Sequence, residues 1–156
     1  MSNTAAAKPS PGAEPGHADT LMVRDRCLCL HVQRAARALA RRFDVAFRPF
    51  DLTNGQFSLM MSLNRPQPPT LGSVASLLAM DRTTLTAALK PLERRGLVRI
   101  AVDKKDRRSR LLALTAAGRA LLAKALPVWI ETHDAVDRAL APHSPDGLRA
   151  ALRALA

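Results

Sequence analysis

The chain has 156 residues, a formal charge of +11 and two cysteines. A domain of this length buries a core without disulfides or metal, and 24 Lys and Arg against 13 Asp and Glu favour a polyanionic partner. Aromatic residues make up only 3% of the chain, which argues against proteins that stack single-stranded bases on aromatic side chains. Neither a signal peptide nor an apolar run of membrane-spanning length is present. We therefore expect a soluble cytoplasmic protein without a membrane partner.

The N-terminal part of the chain predicts a tail and one long helix. Residues 1–18 are rich in Pro, Gly, Ala and Ser, which is typical of a disordered segment. Asp19 is expected to cap the first helix. Apolar residues recur at helical spacing between Leu21 and Phe47, and Pro49 should end this helix.

The middle of the chain predicts three shorter helices followed by a hairpin. A capping box at Thr53 and Gln56 starts the second helix. The third helix starts near Thr70, and the fourth follows a cap at Asp81 and closes at Gly96. The remaining predicted elements are β-runs at 97–102 and 110–114, a long helix at 116–140 with its cap at Thr115, and a short final helix.

The predicted helix from Arg82 to Arg95 has an apolar side and a polar side. Leu85, Leu89 and Leu92 fall on the apolar side. The opposite side carries small and basic residues, which let a helix approach base edges in the DNA major groove; alone, the same pattern also fits an amphipathic surface helix. Pro91 should kink this helix and confine base readout to the turns before it. The candidate DNA contacts are Arg82, Thr83, Thr84, Thr86, Ala87, Lys90 and Arg94.

The turn of the predicted hairpin is strongly basic. Five basic residues and one acid lie between Lys104 and Arg110. Such a charge run is most often a solvated loop, but directly after a helix-turn-helix it indicates a wing that places an Arg in the minor groove. We therefore predict a mainly α fold with one small β-hairpin. Its parts are a winged helix-turn-helix DNA-binding domain at 50–115 and dimerisation helices at 19–48 and 116–156.

Roughly residues 25–140, and most strongly residues 77–118, resemble the MarR family of bacterial transcription regulators. The wing signature of that family, Asp-x-Arg followed by a hydrophobic strand and Leu-Thr-x-x-Gly, corresponds here to Asp106-Arg107-Arg108, the strand ending at Leu114, Thr115 and Gly118. The resemblance implies a dimeric winged-helix protein, often a repressor, released from DNA by a small ligand or by oxidation. It also implies that Arg108 is the wing-tip arginine, held by Asp106; the alternative is a plain ion pair.

The long helix at 116–140 carries an apolar seam with heptad-like spacing. We expect the seam to pair with a second copy of the chain and with the first helix. Two recognition helices would then read half-sites about one helical turn apart on a near-palindromic operator. The alternative is a monomer in which the first and last helices cover each other. The seam consists of Leu122, Leu126, Trp129, His133, Val136 and Leu140.

The sequence leaves two kinds of regulatory signal as alternatives for releasing the protein from DNA. The first is a small-molecule effector in the crevice where the resemblance places family ligands, although each candidate residue is more often a core residue. The second is redox sensing through Cys27 or Cys29, near the start of the first helix, as in a family branch that senses organic hydroperoxides. That branch uses tyrosines, which this chain lacks. The candidate ligand contacts are His31, Trp129 and His133, together with Phe57, Met60 and Met61.

No motif indicates an enzyme. The sequence contains no Gly-rich phosphate loop, no nucleophile elbow and no Cys or His cluster at metal spacing. On one helix Cys27 and Cys29 would lie about 200° apart, a poor geometry for a shared metal or a disulfide. We expect no catalytic residue, metal or cofactor. A nonspecific architectural DNA-binding protein is the stronger alternative, because charge alone gives affinity for DNA.

Overall fold

The computed structural model describes residues 14–155. They form two compact units that divide after Ala38. The N-terminal unit contains α1 (His17–Arg26) and the first part of α2 (Leu28–Phe47). The C-terminal unit contains the end of α2 and all later elements. These are a 3-10 helix (Arg48–Phe50), α3 (Asn54–Ser62), α4 (Leu71–Leu77), α5 (Arg82–Arg94), β1 (Val98–Val102), β2 (Arg110–Leu114), α6 (Ala116–Ala139) and α7 (Pro145–Arg153).

Helix α1 begins earlier than the sequence predicts. Of the expected tail at 1–18, residues 1–13 lie outside the described part of the chain, and α1 already starts at His17. The prediction that Asp19 is the N-cap is wrong. Gly16 is the N-cap, and its amide donates to the Asp19 carboxylate at 2.9 Å, so Asp19 stabilises the helix start from its third position.

The long helix predicted from Leu21 to Phe47 is in fact two helices. The chain leaves helical geometry at Cys27, where φ is −73° and ψ is 100°. The Cys27 Sγ accepts a hydrogen bond from the Leu30 amide at 3.4 Å, so the thiol occupies the position of a helix N-cap. The sequence did not predict this break because apolar residues recur at helical spacing on both sides of Cys27. As predicted, α2 ends before Pro49.

The later helices begin at the caps that the sequence predicts. The side chains of Thr53, Asp81 and Thr115 each accept a hydrogen bond from the amide three residues on. Gly96 ends α5 with a φ of 66°, a left-handed conformation that glycine adopts without strain. Ala79 takes a similar φ of 50° in the turn between α4 and α5, which residue type alone does not predict.

The core of the C-terminal unit forms where α5 packs against α4 and β1. Leu85, Leu89 and Leu92 are completely buried, and burying such a side chain contributes about 1.5–3 kcal/mol. Helix α5 is therefore fixed against its neighbours by its apolar side. Other fully buried core side chains come from α2, α3, α4 and β2, namely Phe47, Met60, Val74 and Leu112.

The predicted hairpin is present as an antiparallel pair. Val98 pairs with Leu114 and Val102 with Arg110. The segment before α4 extends this pair, because the Leu112 amide donates to the Pro69 carbonyl at 2.9 Å. The hairpin is thereby joined to the start of the helix-turn-helix, which limits the positions that its turn can adopt.

The apolar seam predicted on α6 does not face outward as a whole. Leu122 and Val136 are buried within this chain, and Trp129 lies against Phe43 and Phe57. The reason is that α6 packs on α3 and β2, which provide a core that the heptad pattern does not reveal. Trp129 thus lies against the first predicted helix through Phe43, and pairing of the seam with a second copy stays a prediction. The large apolar side chains of α6 that stay exposed are Leu126 and Ile130.

Candidate nucleic-acid interface

Helix α5 presents its polar side to solvent because its leucines occupy the core. A shallow groove of about 320 Å3 lies along this outer side, with the small side chain of Ala87 in its lining. A helix with a small side chain at the centre of its outer face can bring its backbone close to base edges. All seven predicted contacts are exposed, namely Arg82, Thr83, Thr84, Thr86, Ala87, Lys90 and Arg94.

The start of α5 is held by a compact set of hydrogen bonds. The Asp81 carboxylate accepts from the Thr84 amide at 2.8 Å and from the Thr84 hydroxyl at 2.5 Å. The hydrogen bond from the Thr84 hydroxyl has the largest effect and that from the Thr84 amide the next largest. Both hold the pKa of Asp81 below its usual range. The Thr86 hydroxyl donates back to the Arg82 carbonyl at 2.7 Å. The first two turns of α5 are thus fixed before any ligand arrives.

Two neighbouring arginines at the C-terminal end of α5 have different surroundings. The helix continues through Pro91 to Arg94, so the proline does not end it, and the kink and the confinement of base readout stay predictions. Arg94 is exposed. Arg95 instead donates to the main-chain carbonyls of Asp51 and Phe50, the latter at 3.3 Å. Arg95 therefore joins the end of α5 to the end of the 3-10 helix.

The wing turn is held by aspartates that accept main-chain hydrogen bonds. Asp106 Oδ1 accepts from the Arg108 amide at 3.0 Å, and the Asp106 carbonyl accepts from the Ser109 amide at 2.9 Å. The contact between Asp106 and Arg108 thus runs through the Arg108 backbone rather than its guanidinium. Asp103 Oδ1 holds the Lys105 amide in the same way at 2.8 Å. Asp106, Arg107 and Arg108 are all exposed.

The basic side chains of α5 and the wing carry uncompensated charge. Within residues 14–155, the ion pairs involve Arg24, Arg95, His133 and Arg149. None of the predicted DNA-contacting cations is among them. Exposed cations without acidic partners create the positive potential that attracts a phosphate backbone.

The candidate sensor residues divide between the two units. Cys27, Cys29 and His31 belong to the N-terminal unit, where Cys27 is half-buried and Cys29 exposed. The His31 ring Nε2 lies 3.2 Å from the Asp25 carbonyl oxygen. Both thiols are free.

Trp129 and His133 lie together on α6. Their rings stack with centroids 4.6 Å apart and planes 8° apart. The His133 Nε2 is 3.1 Å from Nη2 of Arg149 on α7, and the same nitrogen of Arg149 bonds to Asp137. Sequence reasoning missed Arg149, because no spacing pattern relates it to residues on the preceding helix.

An apolar pocket of about 280 Å3 adjoins Trp129. Phe57 and Met61 line it as predicted ligand contacts, whereas Met60 is fully buried in the core and does not. Ser58 and Leu126 complete the lining and were missed. Their positions on α3 and α6 become informative only once the packing of these helices is known.

In residues 14–155, no helix has both the length and the apolar character needed to span a membrane. In the same part of the chain, no three His, Cys, Asp or Glu side chains cluster in a way that could hold a metal ion.

Comparison with known proteins decides the family. The MarR family model matches residues 52–109, which include α3 to α5 and most of the wing. The chain is 35% identical to the M. tuberculosis transcriptional regulator MosR, solved in complex with DNA. That alignment covers 83% of this chain and 93% of MosR, with a TM-score of 0.76. The chain belongs to the MarR family.

Two further relatives agree with membership of the MarR family. The transcriptional repressor CouR, solved on a 23-mer DNA duplex, is 30% identical over 85% of this chain and 94% of CouR, with a TM-score of 0.76. The regulator TtmR of Methylorubrum extorquens is 35% identical over 100 residues, which are 64% of this chain and 51% of TtmR. The chain thus spans about half the length of this curated relative. These MarR-type relatives are named as regulators, which points away from an enzyme.

Proposed function

We propose that the chain is a sequence-specific regulator of transcription that binds double-stranded DNA as a homodimer on a near-palindromic operator. The observation that carries this proposal is the division of α5. Its leucines are completely buried, while its small and basic side chains are exposed beside a basic wing. A helix in this arrangement fits the major groove, and an adjacent wing reaches the minor groove. The DNA-bound structures of MosR and CouR support the same partner.

The experiment that tests this proposal is selection from random duplexes. The purified protein should enrich a two-fold related consensus and bind it at least about 10³-fold more tightly than a scrambled duplex at physiological salt. Equal affinity for both duplexes, with the same steep salt dependence, would instead identify a nonspecific architectural protein. The expression of a reporter gene placed behind the selected operator then shows whether the protein represses or activates transcription. We expect repression, as the name of CouR suggests.

The homodimer is supported by apolar side chains that this chain leaves exposed. On α6, Ile130 is 47% exposed, and on α7, Leu148 and Leu152 are 44% and 40% exposed. On α2, Leu28 is 64% exposed. Large apolar side chains on several helices favour burial against a second copy. The proposal assigns dimer contacts to these parts of 19–48 and 116–156.

Light scattering after size exclusion tests the homodimer. The parent chain should elute with twice the mass of one copy, and Ile130→Glu should shift it toward one copy because a buried carboxylate lacks a partner. Val102→Glu is a matched control, since Val102 is 51% exposed in the wing. A parent chain that is monomeric at micromolar concentration would remove the homodimer from the proposal.

We also propose that a small ligand relieves DNA binding from the pocket beside Trp129. Its lining is mostly apolar, from Phe57, Met61 and Leu126, with Ser58 as the polar residue. A small aromatic compound suits this lining and volume. Trp129 is the only tryptophan of the chain, so its fluorescence reports binding at this place. Compounds that quench it should also release the operator, and Met61→Trp, which fills the pocket, should abolish that release.

One specific observation favours a redox-sensing alternative. The Cys27 sulfur lies at the start of α2 and accepts a hydrogen bond from the Leu30 amide, and helix N-termini are frequent settings of reactive cysteines. Peroxide treatment, mass spectrometry and an operator titration test it. If Cys27 or Cys29 oxidises and DNA affinity falls in the parent but not in Cys27→Ser, the signal is redox. Unchanged affinity after complete oxidation removes this alternative.

A further inference from the structure

The start of α5 contains three exposed threonines, Thr83, Thr84 and Thr86. Two of their hydroxyl groups already donate a hydrogen bond within the protein, to the Asp81 carboxylate and to the Arg82 carbonyl. The Thr83 hydroxyl takes part in none of the side-chain hydrogen bonds found between residues 14 and 155. The three threonines carry the same hydroxyl group, but the groups differ in whether their hydrogen is already donated within the described residues.

This difference determines what each threonine can offer to a base. A hydroxyl group has a single hydrogen to donate and lone pairs that accept. Because the hydrogens of Thr84 and Thr86 are used inside α5, these residues present methyl groups and lone pairs. Thr83 keeps its hydrogen for an external acceptor. In the major groove the acceptors are N7 and O6 of guanine, N7 of adenine and O4 of thymine.

The position of Thr83 on α5 suits such a contact. It is the second residue of the helix and borders the shallow groove that also contains Ala87, one turn later. The N-terminal residues of a recognition helix contact base edges when the helix lies in the major groove. Since Ala87 has a small side chain, a base edge can approach the Thr83 hydroxyl without displacing another side chain.

We propose that Thr83 is the hydroxyl donor that determines base identity at one position of each half-site. Thr84 and Thr86 act as positioning residues, since they hold the start of α5 through Asp81 and the Arg82 carbonyl. This inference rests on the proposed function, because it requires a duplex in contact with α5. The recognised group is a hydrogen-bond acceptor on the major-groove edge of one base pair.

The test compares isosteric variants by duplex selection and by titration of the parent operator. Thr83→Val removes the hydroxyl and keeps the shape, and Thr86→Val makes the same change at a positioning residue, so that loss of base preference is compared with loss of helix support. Thr83→Val should lose preference at one position per half-site and bind the operator roughly tenfold more weakly, about 1.4 kcal/mol. Thr83→Ser, which keeps the donor, should restore the preference. Thr86→Val should keep the parent consensus, while its affinities for the operator and for a scrambled duplex fall by the same factor, because Thr86 holds the start of α5.

The outcomes separate the inference from the proposed function. If the parent selects a consensus that Thr83→Val also selects, Thr83 is not the donor and the inference fails while the proposed function stands. The same holds if Thr86→Val loses the preference as completely as Thr83→Val. If the parent selects no consensus at all, the proposed function fails and the inference fails with it. Far-ultraviolet circular dichroism checks that the helix content of each variant matches that of the parent.

Discussion

Gly118 lies so close to Leu97 that a Cβ at Gly118 would be 2.1 Å from the Leu97 carbonyl oxygen. That carbonyl also accepts a hydrogen bond from the Thr115 amide at 3.0 Å, and the Thr115 hydroxyl oxygen lies 3.2 Å from it. The start of α6 is thus fastened to the residue that precedes β1. The Thr-x-x-Gly pattern after the wing has a structural cause, because it joins the wing strands to the long helix.

The first prediction concerns this close approach. Gly118→Ala should lower the free energy of unfolding by roughly 2–3 kcal/mol, since the new methyl group overlaps backbone that cannot rotate away. Urea unfolding at fixed protein concentration measures the change. Gly55→Ala on α3 is the matched control, because its Cβ would meet nothing nearer than 4.0 Å, and it should be neutral or slightly stabilising. Equal stability of Gly118→Ala and the parent would contradict the assigned packing.

The second prediction concerns the hydroxyl of Thr115. It accepts from the Gly118 amide at 3.0 Å and donates to the Gly96 carbonyl at 2.6 Å. Thr115→Val keeps the shape and loses both bonds, so the free energy of unfolding should fall by about 1–2 kcal/mol. Thr115→Ser keeps both and should lose less than half as much. If Val and Ser behave alike in urea unfolding, the hydroxyl is not what holds α6.

The parts of the fold that the sequence predicted depend on local signals. Caps at Thr53, Asp81 and Thr115, and the closing Gly96, each act within a few residues of themselves and start or end their elements as expected. The division of α5 follows from its own periodicity. Fold class, hairpin and the exposed polar side of α5 were therefore accessible without coordinates.

The parts that were missed depend on contacts between distant residues or on unusual chemistry. A cysteine as the N-cap of α2 has no strong statistical signal, so the break at Cys27 was not predicted. The hydrogen bonds of Arg95 go to the carbonyls of Phe50 and Asp51, more than forty residues earlier. Burial of Leu122 depends on how α6 packs on α3 and β2. Periodicity identifies an apolar face but not what covers it.

The third prediction concerns the wing. Arg108 is exposed, while its amide is held by Asp106, so Arg108→Ala should leave the turn intact. We expect weaker operator binding and a changed preference at A·T pairs flanking each half-site, because a narrow minor groove attracts arginine. Lys105→Ala is the control for loss of one wing charge and should weaken binding to all sequences alike. Selected consensus sequences that are identical for Arg108→Ala and the parent would show that the wing assignment is wrong.

The fourth prediction uses the neighbouring pair Arg94 and Arg95. Arg94→Ala should weaken binding to every duplex and reduce the slope of log affinity against log salt by about one, as expected for a lost phosphate contact. Lys90→Ala should behave in the same way. Arg95→Ala should keep the salt slope and instead lower the free energy of unfolding, because it releases the Phe50 and Asp51 carbonyls. Equal slopes for Arg94→Ala and the parent would exclude Arg94 from the DNA contact.

The fifth prediction concerns the pH dependence of stability at Asp81. Hydrogen bonds from Thr84 lower the Asp81 pKa in the folded chain, so the folded state favours the charged carboxylate. This contribution is complete above the unfolded pKa of about 4 and disappears as the pH falls through the lowered folded value. Asp81→Asn keeps a capping oxygen without a titrating charge. The stability difference between parent and Asp81→Asn should therefore be constant from pH 7 to about 5 and shrink below it.

Urea unfolding at each pH, with both proteins at one concentration, measures this difference. Asp25, whose pKa is lowered by its hydrogen bond from Arg24, titrates in the same acid range. It is present in both proteins, so its effect cancels in the comparison. Dissociation of a dimer would also contribute equally at matched concentration. A stability difference that stays constant down to pH 3 would mean that the charge of Asp81 does not stabilise the start of α5. The cap would then act through its oxygen atoms alone, as a neutral Asn does.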